Sequence, residues 1–225
     1  MKKLVRLKRL AAPRWWPIER KTKKFITSPR GPHPKKLSLP LLVLIRDVFK
    51  FAETKKEAKS IIKNGEILID GKKGKDSNYG VGPLDVIEIP SLKKRWRAIP
   101  RNGLTFIEIP AKESKLKICK IINKKTLKGN KNQLNLHDGR NIISDEKYST
   151  HDSLLIELPE QKIKEYLKLE KGSLVLVCGG KNAGKVANIK EIEQKRVWLE
   201  DEKVFEVPKN LIIVVGKDKP LINLE

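Results

Sequence analysis

Six prolines fall within the first forty residues, at Pro13, Pro17, Pro29, Pro32, Pro34 and Pro40, and they bar any long helix or ladder from that stretch. Each fixes its own φ near about −65°, removes an amide donor and pushes the preceding residue out of the α region. The apolar residues between them keep no sustained period, so residues 1–40 are expected to be extended and poorly ordered when alone, becoming ordered on a partner. Within this segment 13 Lys/Arg face the single acid Glu19, a balance of +12 out of +23 for the 225-residue chain. A pI near 10 with the charge gathered at one end points to a polyanionic partner. Trp15, Trp16 and Phe25 interleave with Arg14, Arg20, Lys23 and Lys24, where rings can stack on splayed bases or pack the segment onto the rest of the chain. Arg6, Lys8, Arg9, Arg14, Trp15, Trp16, Arg20, Lys23, Lys24, Arg30, Lys35 and Lys36 are the RNA-contact candidates here.

No apolar run reaches the length of about 18 residues that a membrane helix needs, and Met1-Lys2-Lys3 leads into no signal-type apolar core. A soluble intracellular protein with no membrane partner is therefore expected. Cys119 and Cys178 sit far apart in apolar surroundings, "LKICKII" and "LVLVCGG", which favours buried reduced thiols over a disulfide. Two Cys and three scattered His offer no recognisable zinc spacing, so no metal and no cofactor is expected.

Helical periodicity begins after Pro40. "LLVLIRDVFKFA" places Leu41, Leu44, Ile45 and Val48 on one face, with Arg46, Asp47 and Lys50 opposite. "TKKE" at 54–57 has the form of a capping box and predicts a second helix, its inner face Ala58, Ile61 and Ile62, ending at Asn64-Gly65. Lys56, Lys59 and Lys63 share its outer face, within about 60° at the helical step. "EILIDGKK" predicts a strand turning at Asp70-Gly71 towards Lys72, Lys73 and Lys75, and "PLDVIEIP" (83–90) a returning strand. Arg46, Lys50, the lysine stripe and the hairpin lysines form one candidate phosphate-binding surface, although any single lysine on an exposed helix face is ordinary.

Residues 41–90 resemble the S-four-type RNA-binding domain, an α-L fold. "RLKRLAAPRWWPI" (6–18), "GPHP" (31–34), "LPLLVLIRDVFKFA" (39–52) and "QLNLHDGRNI" (133–142) together resemble the S-four-e family of the archaeal and eukaryotic small ribosomal subunit, over about residues 4–215. The resemblance implies a structural ribosomal protein that binds small-subunit ribosomal RNA and neighbouring ribosomal proteins, sits on cytoplasmic ribosomes, takes part in translation and has no catalytic role. The lack of long extensions favours an archaeal form.

Between "TFIEIP" (105–110) and "SLLIELP" (153–159), short β-prone runs separated by turn signals at Gly129-Asn130, Asp138-Gly139 and Pro159 predict a small, mostly β domain. His137-Asp138 looks like part of a catalytic triad but has no local nucleophile beside it, and Asp-Gly serves an ordinary turn. Arg140 and Asn141 are RNA-contact candidates by the resemblance of this stretch, which leaves open whether His137 and Arg140 meet RNA or hold the domain together.

"GGKNAGKV" (179–186) carries seven of the eight positions of a phosphate-binding P-loop, with Val186 where a Mg²⁺-ligating Ser or Thr belongs. The residues after it are strand-like, not helical: "KVANIKEIE", a hairpin "KRVWLEDEKVFEVP" around Asp201-Glu202, and "NLIIVVG". With "SLVLVCG" these make five short strands, suggesting a small barrel of the Src-homology-three kind and no nucleotide cofactor. "KGSLVLVCGGKNAGKVANI" resembles the KOW motif, which puts Lys181, Asn182 and Lys185 on a loop able to reach RNA. The expected chain is α+β: a basic extension (1–40), an S-four-type domain (41–100), a central β domain (101–168) and a KOW small barrel (169–225). The alternatives from other classes are an RNA-modifying enzyme that docks through its S-four-type module, and a KOW-type transcription or RNA-chaperone factor.

Overall fold

The proline-rich stretch is short of regular structure, as its composition dictates, yet it lies firmly on the body of the protein. The computed structural model describes residues 7–129, 131–201 and 203–224. Arg6, the Met1-Lys2-Lys3 start, Asn130 and Glu202 lie outside them. Leu7–Lys8 pairs with Phe25–Ile26, a bridge joins Arg30 to Tyr79, and Leu39–Pro40 pairs with Gly80–Val81. Ala12 and Trp16 enter the same apolar cluster as Leu41, Leu44, Ile62 and Ile87. The segment therefore departs from the expectation of a tail that orders only on a partner: buried Trp16 and backbone pairing hold it in place. Glycines supply the track. A β-carbon on Gly80 would lie 3.1 Å from Pro29, one on Gly103 2.6 Å from Trp15, one on Gly139 2.3 Å from Pro32, and one on Gly82 2.2 Å from the His33 ring.

Leu41–Val43 is a helical turn that widens into a π turn over Leu44–Val48, with every side chain from Leu41 to Ile45 buried. The second helix runs Lys55–Asn64, capped as the sequence predicts. Thr54 accepts from the Glu57 amide at 3.2 Å, the Glu57 carboxylate accepts from the Thr54 amide at 3.3 Å, and Gly65 closes the helix at φ 72°. Asp70 and Gly71 both take positive φ, 50° and 75°, the requirement of a tight two-residue hairpin between Leu68–Ile69 and Lys72–Lys73. These strands open an antiparallel sheet ordered Lys72–Lys73, Leu68–Ile69, Val86–Ile89, Lys94–Ile99, Thr105–Glu108. The sheet thus runs on past the break expected at residue 100 and takes "TFIE" from the central segment, because Arg97 and Ala98 pair with Ile107 and Phe106.

The central sheet is ordered Asn141–Ser144, Asn132–Leu136, Leu116–Thr126, Ser153–Glu157, Lys162–Leu167, all antiparallel. The C-terminal sheet is ordered Val204–Pro208, Arg196–Glu200, Val186–Ile192, Leu174–Val177, Ile212–Gly216, giving the five expected strands. Its apolar interior of Val175, Val177, Ile189, Val197, Leu199 and Val215 is continuous with Ile118 and Leu155 of the central sheet and with Leu84 and Ile99 of the first. Polar ties cross the same boundary. Lys120 donates to the carbonyls of Lys209 (2.5 Å) and Ile212 (2.8 Å), and the Val214 amide donates to the Ser153 hydroxyl at 3.1 Å.

Candidate nucleic-acid interface and the buried ionic junction

The basic candidates divide by what the fold does with them. Lys56, Lys59 and Lys63 are exposed along the outer face of the capped helix. At its C-terminal end the side chains of Lys73 and Lys75 pass within 3.4 and 3.8 Å of where a β-carbon on Gly65 would lie, so hairpin and stripe form one surface. Exposed lysines also favour this helix end, where the backbone dipole is negative. An open trough of about 880 Å³ separates the N-terminal segment from the helices, lined by Arg9, Lys23, Arg46, Lys50 and Lys55 and also by Glu19, Asp47 and Glu53. Lys8, Arg14, Lys24, Arg30, Lys35, Lys36, Lys72 and Asn141 are exposed as well.

Other candidates are already engaged internally. Trp16 is 3% exposed and presents no face to a base, because its ring fills the core under the helices. Half-buried Trp15 donates from Nε1 to the Lys36 carbonyl at 3.0 Å and packs edge-on to Trp16. Arg9 is buried and donates to the Glu19 carbonyl, while Arg20 donates to the carbonyls of Ala12 (3.1 Å) and Pro13 (2.7 Å). Arg46 grips Asp47 through two bonds of 3.0 and 2.7 Å.

The "GGKNAGKV" loop settles the nucleotide question through the element it leads into. Gly180 and Gly184 take φ 83° and 87°, and Val186 starts a strand, so no helix N-terminus receives a phosphate. Gly184 is instead a contact point, its missing β-carbon leaving room for Arg101 at 2.8 Å. Lys181 and Lys185 are exposed and Asn182 half-buried, with the Lys185 ammonium 5.6 Å from the Phe205 ring centroid.

The largest electrostatic feature lies inside. Lys117, fully buried, donates to Asp70 and Asp85 at 2.6 Å each and stands 3.2 Å from Asp138. Arg140, with its side chain 14% exposed, pairs through Nη2 with Asp70 at 2.7 Å and through Nε with Asp138 at 3.1 Å, so two of its three nitrogens serve internal carboxylates. The His33 Nε2 lies 3.1 Å from Asp85, whose other oxygen accepts from the Gly82 amide at 2.8 Å. One junction thus joins the proline-rich segment (His33), the first sheet (Asp70, Asp85) and the central sheet (Lys117, Asp138, Arg140). Burial alone would discharge Lys117, but Asp70, Asp85 and Asp138 outweigh it and hold the amine well above its usual range. Burial likewise acts to raise Asp138, yet Lys117, His137 and Arg140 bring it down to about 2.

Sequence reasoning missed Lys117, Asp70, Asp85 and His33. The one signal for Lys117 was a lysine set inside the apolar run "LKICKII". The fold also gathers Cys119, His137 and Asp138 with ligand-type atoms within 4.8 Å of one another, a grouping the sequence did not suggest. Each is otherwise occupied. The Cys119 thiol donates to Asp138 at 3.3 Å, the Lys120 amide donates to the His137 Nδ1 at 3.2 Å, and the Lys117 ammonium already supplies the positive charge that a cation would bring.

Burial also pushes the His137 imidazole down to about 4 from 6.5. In the interval between these values the unfolded chain binds a proton that the folded chain excludes, so stability rises with pH there and is lost as pH falls through about 4. About 3 kcal/mol is at stake over the whole interval, at about 1.36 kcal/mol per unit. Urea unfolding at pH 4.5 and 7.0 should show this loss in the parent and a much smaller one in His137→Gln; equal losses would place the proton uptake elsewhere.

The fold and this surface define a multi-module basic protein of the nucleic-acid-binding class. The chain belongs to the ribosomal S4e family. The model of "Ribosomal family S4e" matches residues 94–163, the "RS4NT (NUC023) domain" 5–36, the "S4 domain" 48–87 and the "KOW motif" 171–205. The small ribosomal subunit protein eS4 of Methanocella arvoryzae is 41% identical over 224 residues, covering 96% of each chain. That of Ignicoccus hospitalis is 42% identical over 239 residues, covering 97% of this chain and 94% of its own. The crystal structure of the 30S ribosomal protein S4e from Thermoplasma acidophilum aligns with a TM-score of 0.73 at 28% identity, over 84% of this chain and 99% of its own.

Proposed function

We propose that this protein is a structural constituent of the small ribosomal subunit that binds small-subunit ribosomal RNA, packs against neighbouring ribosomal proteins and works in translation on cytoplasmic ribosomes, without enzymatic activity. The observation that carries this reading is likeness over nearly the whole chain to proteins named small ribosomal subunit protein eS4, 41% identical over 96% of both chains in one case. The charge supports it, since a net +23, more than half of it in the first forty residues, includes many exposed lysines that suit a phosphate backbone more than base edges. The contacts assigned to RNA are the helix stripe Lys56, Lys59 and Lys63, the hairpin Lys72, Lys73 and Lys75, the trough with Lys23 and Lys50, and the loop with Lys181 and Lys185. Specificity then comes largely from RNA shape, since an A-form helix hides its major-groove edges. The buried acid-base cluster encloses Lys117 completely, leaving that amine no path to a substrate.

Sedimentation of a native lysate after a high-salt wash tests the assignment. Salt screens loose adhesion, so stoichiometric retention on the small subunit supports the reading and release into the soluble fraction overturns it. For the lysine stripe the expected result is quantitative. Replacing Lys56, Lys59 and Lys63 together by Gln should weaken RNA binding and lower the slope of log K against log salt by about 2, for up to three phosphate contacts at about 0.7–0.9 each. An unchanged slope would remove that face from the interface.

A further inference from the structure

The trough between the N-terminal segment and the helices opens beside an aromatic cluster that the RNA-contact candidates do not include. Lys50, at φ 55°, turns the chain out of the π turn, and the amides of Phe49 and Phe51 donate to Leu44 and Ile45 at 2.9 and 3.0 Å. The turn lays both phenyl rings over the sheet face that carries Trp96 and Phe106. Phe49 stacks on Trp96 at 4.4 Å with 29° between the planes and meets Phe106 edge-on at 5.5 Å. Phe51 forms the outer layer, 5.6 Å from Phe49 and 6.2 Å from Trp96, and stays 38% exposed. The cluster thus fixes a ring whose surface is partly open to solvent.

The surroundings say what covers it. Lys50 and Ala52, the residues on either side of Phe51, line the trough together with Lys23, Lys55, Glu19 and Glu53, while the Phe51 ring lies outside that lining with Lys50 next to it in the chain. Lys94 is exposed two positions before Trp96 on the same strand, hence on the same face and about 7 Å along it at the strand rise, near the separation between a base and its own phosphate. Lys93 is exposed next to it, and Glu108, the cross-strand partner of Trp96, is the acid facing them. We propose that Phe51, backed by Phe49 and Trp96, is a stacking platform for one unpaired base of RNA, with Lys50 and Lys94 on the flanking phosphates. It supplies a contact to single-stranded RNA that the lysine stripe, suited to backbone charge, does not. A ring accepts any base by its π face, so the platform selects unpaired over paired RNA and not one base over another.

The inference rests on the RNA-binding reading, and two probes separate its failure from the failure of that reading. They are a ten-nucleotide oligouridylate with one central 2-aminopurine and a blunt RNA duplex of equal length, titrated with the full chain and with Phe51→Ala, Phe51→Leu and Phe51→Tyr. Stacking predicts quenching of the 2-aminopurine by the parent and by Phe51→Tyr. It predicts about a tenfold loss of single-strand affinity in both Phe51→Ala and Phe51→Leu, with the salt slope and duplex binding unchanged. Phe51→Leu keeps apolar bulk and lacks only the π face. If it binds and quenches as the parent does, the platform is overturned and the patch is an apolar contact for a neighbouring protein. Absence of binding to both probes by the parent would instead bring down the RNA-binding reading itself.

Discussion

Lys117→Met should destabilise the protein by about 3–5 kcal/mol, the range for removing one member of a buried ion pair, because it strands Asp70, Asp85 and Asp138 without their ammonium. For a chain of this length that is a fall in Tm of about 10 °C. Methionine fills nearly the same space, so the loss is electrostatic. Lys117→Arg should rescue little, since a planar guanidinium cannot reach two carboxylates at 2.6 Å and a third at 3.2 Å from one point. The discriminating measurement is a double-mutant cycle by denaturant unfolding. Asp85→Asn removes one of the stranded charges, so Lys117→Met should cost less in that background than alone. Additive losses would show that the ammonium and the carboxylates are not coupled and that the junction is incidental to stability.

The junction also marks where the sequence could be read and where it could not. Elements set by local chemistry were legible: Thr54 and Glu57 announce the helix they cap, Asp70-Gly71 the hairpin, and the alternating valines and leucines after Gly172 the C-terminal strands. Alternation failed in the strand Leu116–Thr126, where Lys117 and Lys120 are buried along with Ile118 and Cys119. The first half of that strand, up to Ile121, is covered on both faces, by the first sheet and by the C-terminal strands, so period 2 carries no inside and outside there. The partners of Lys117 lie 32 and 47 residues away, beyond any local pattern. The N-terminal segment shows the same limit. Composition fixed its lack of helix and strand, but its seat is made by glycines at positions 80, 82, 103 and 139, whose missing β-carbons become visible only once Pro29, His33, Trp15 and Pro32 lie against them. Of the proposed RNA surface, the exposed lysines were readable one by one. The stacked rings were not, because Phe49 and Phe51 meet Trp96 and Phe106 only through the sheet.

Gly82→Ala should release the N-terminal segment while leaving the three sheets folded. A β-carbon there would lie 2.2 Å from Cγ and 2.3 Å from Nδ1 of the His33 ring, far inside van der Waals distance. The ring is 1% exposed and held to Asp85 at 3.1 Å, so it can make way only by giving up that bond. Gly82 lies outside the left-handed region, so the alanine itself is unstrained and its whole effect falls on His33. The expected cost is about 2–3 kcal/mol, the scale of an overpacked site whose buried hydrogen bond is broken. Limited trypsin digestion reads it directly. Cleavage at Lys35 and Lys36 should speed up by one to two orders of magnitude, about 1.4 kcal/mol per tenfold when opening is in fast equilibrium, while sites in the helix Lys55–Asn64 keep their protection. His33→Ala makes room for the methyl group, so in that background Gly82→Ala should add almost nothing. If instead the alanine costs as much without the histidine as with it, the segment is held elsewhere, and Trp16 in the core becomes its anchor.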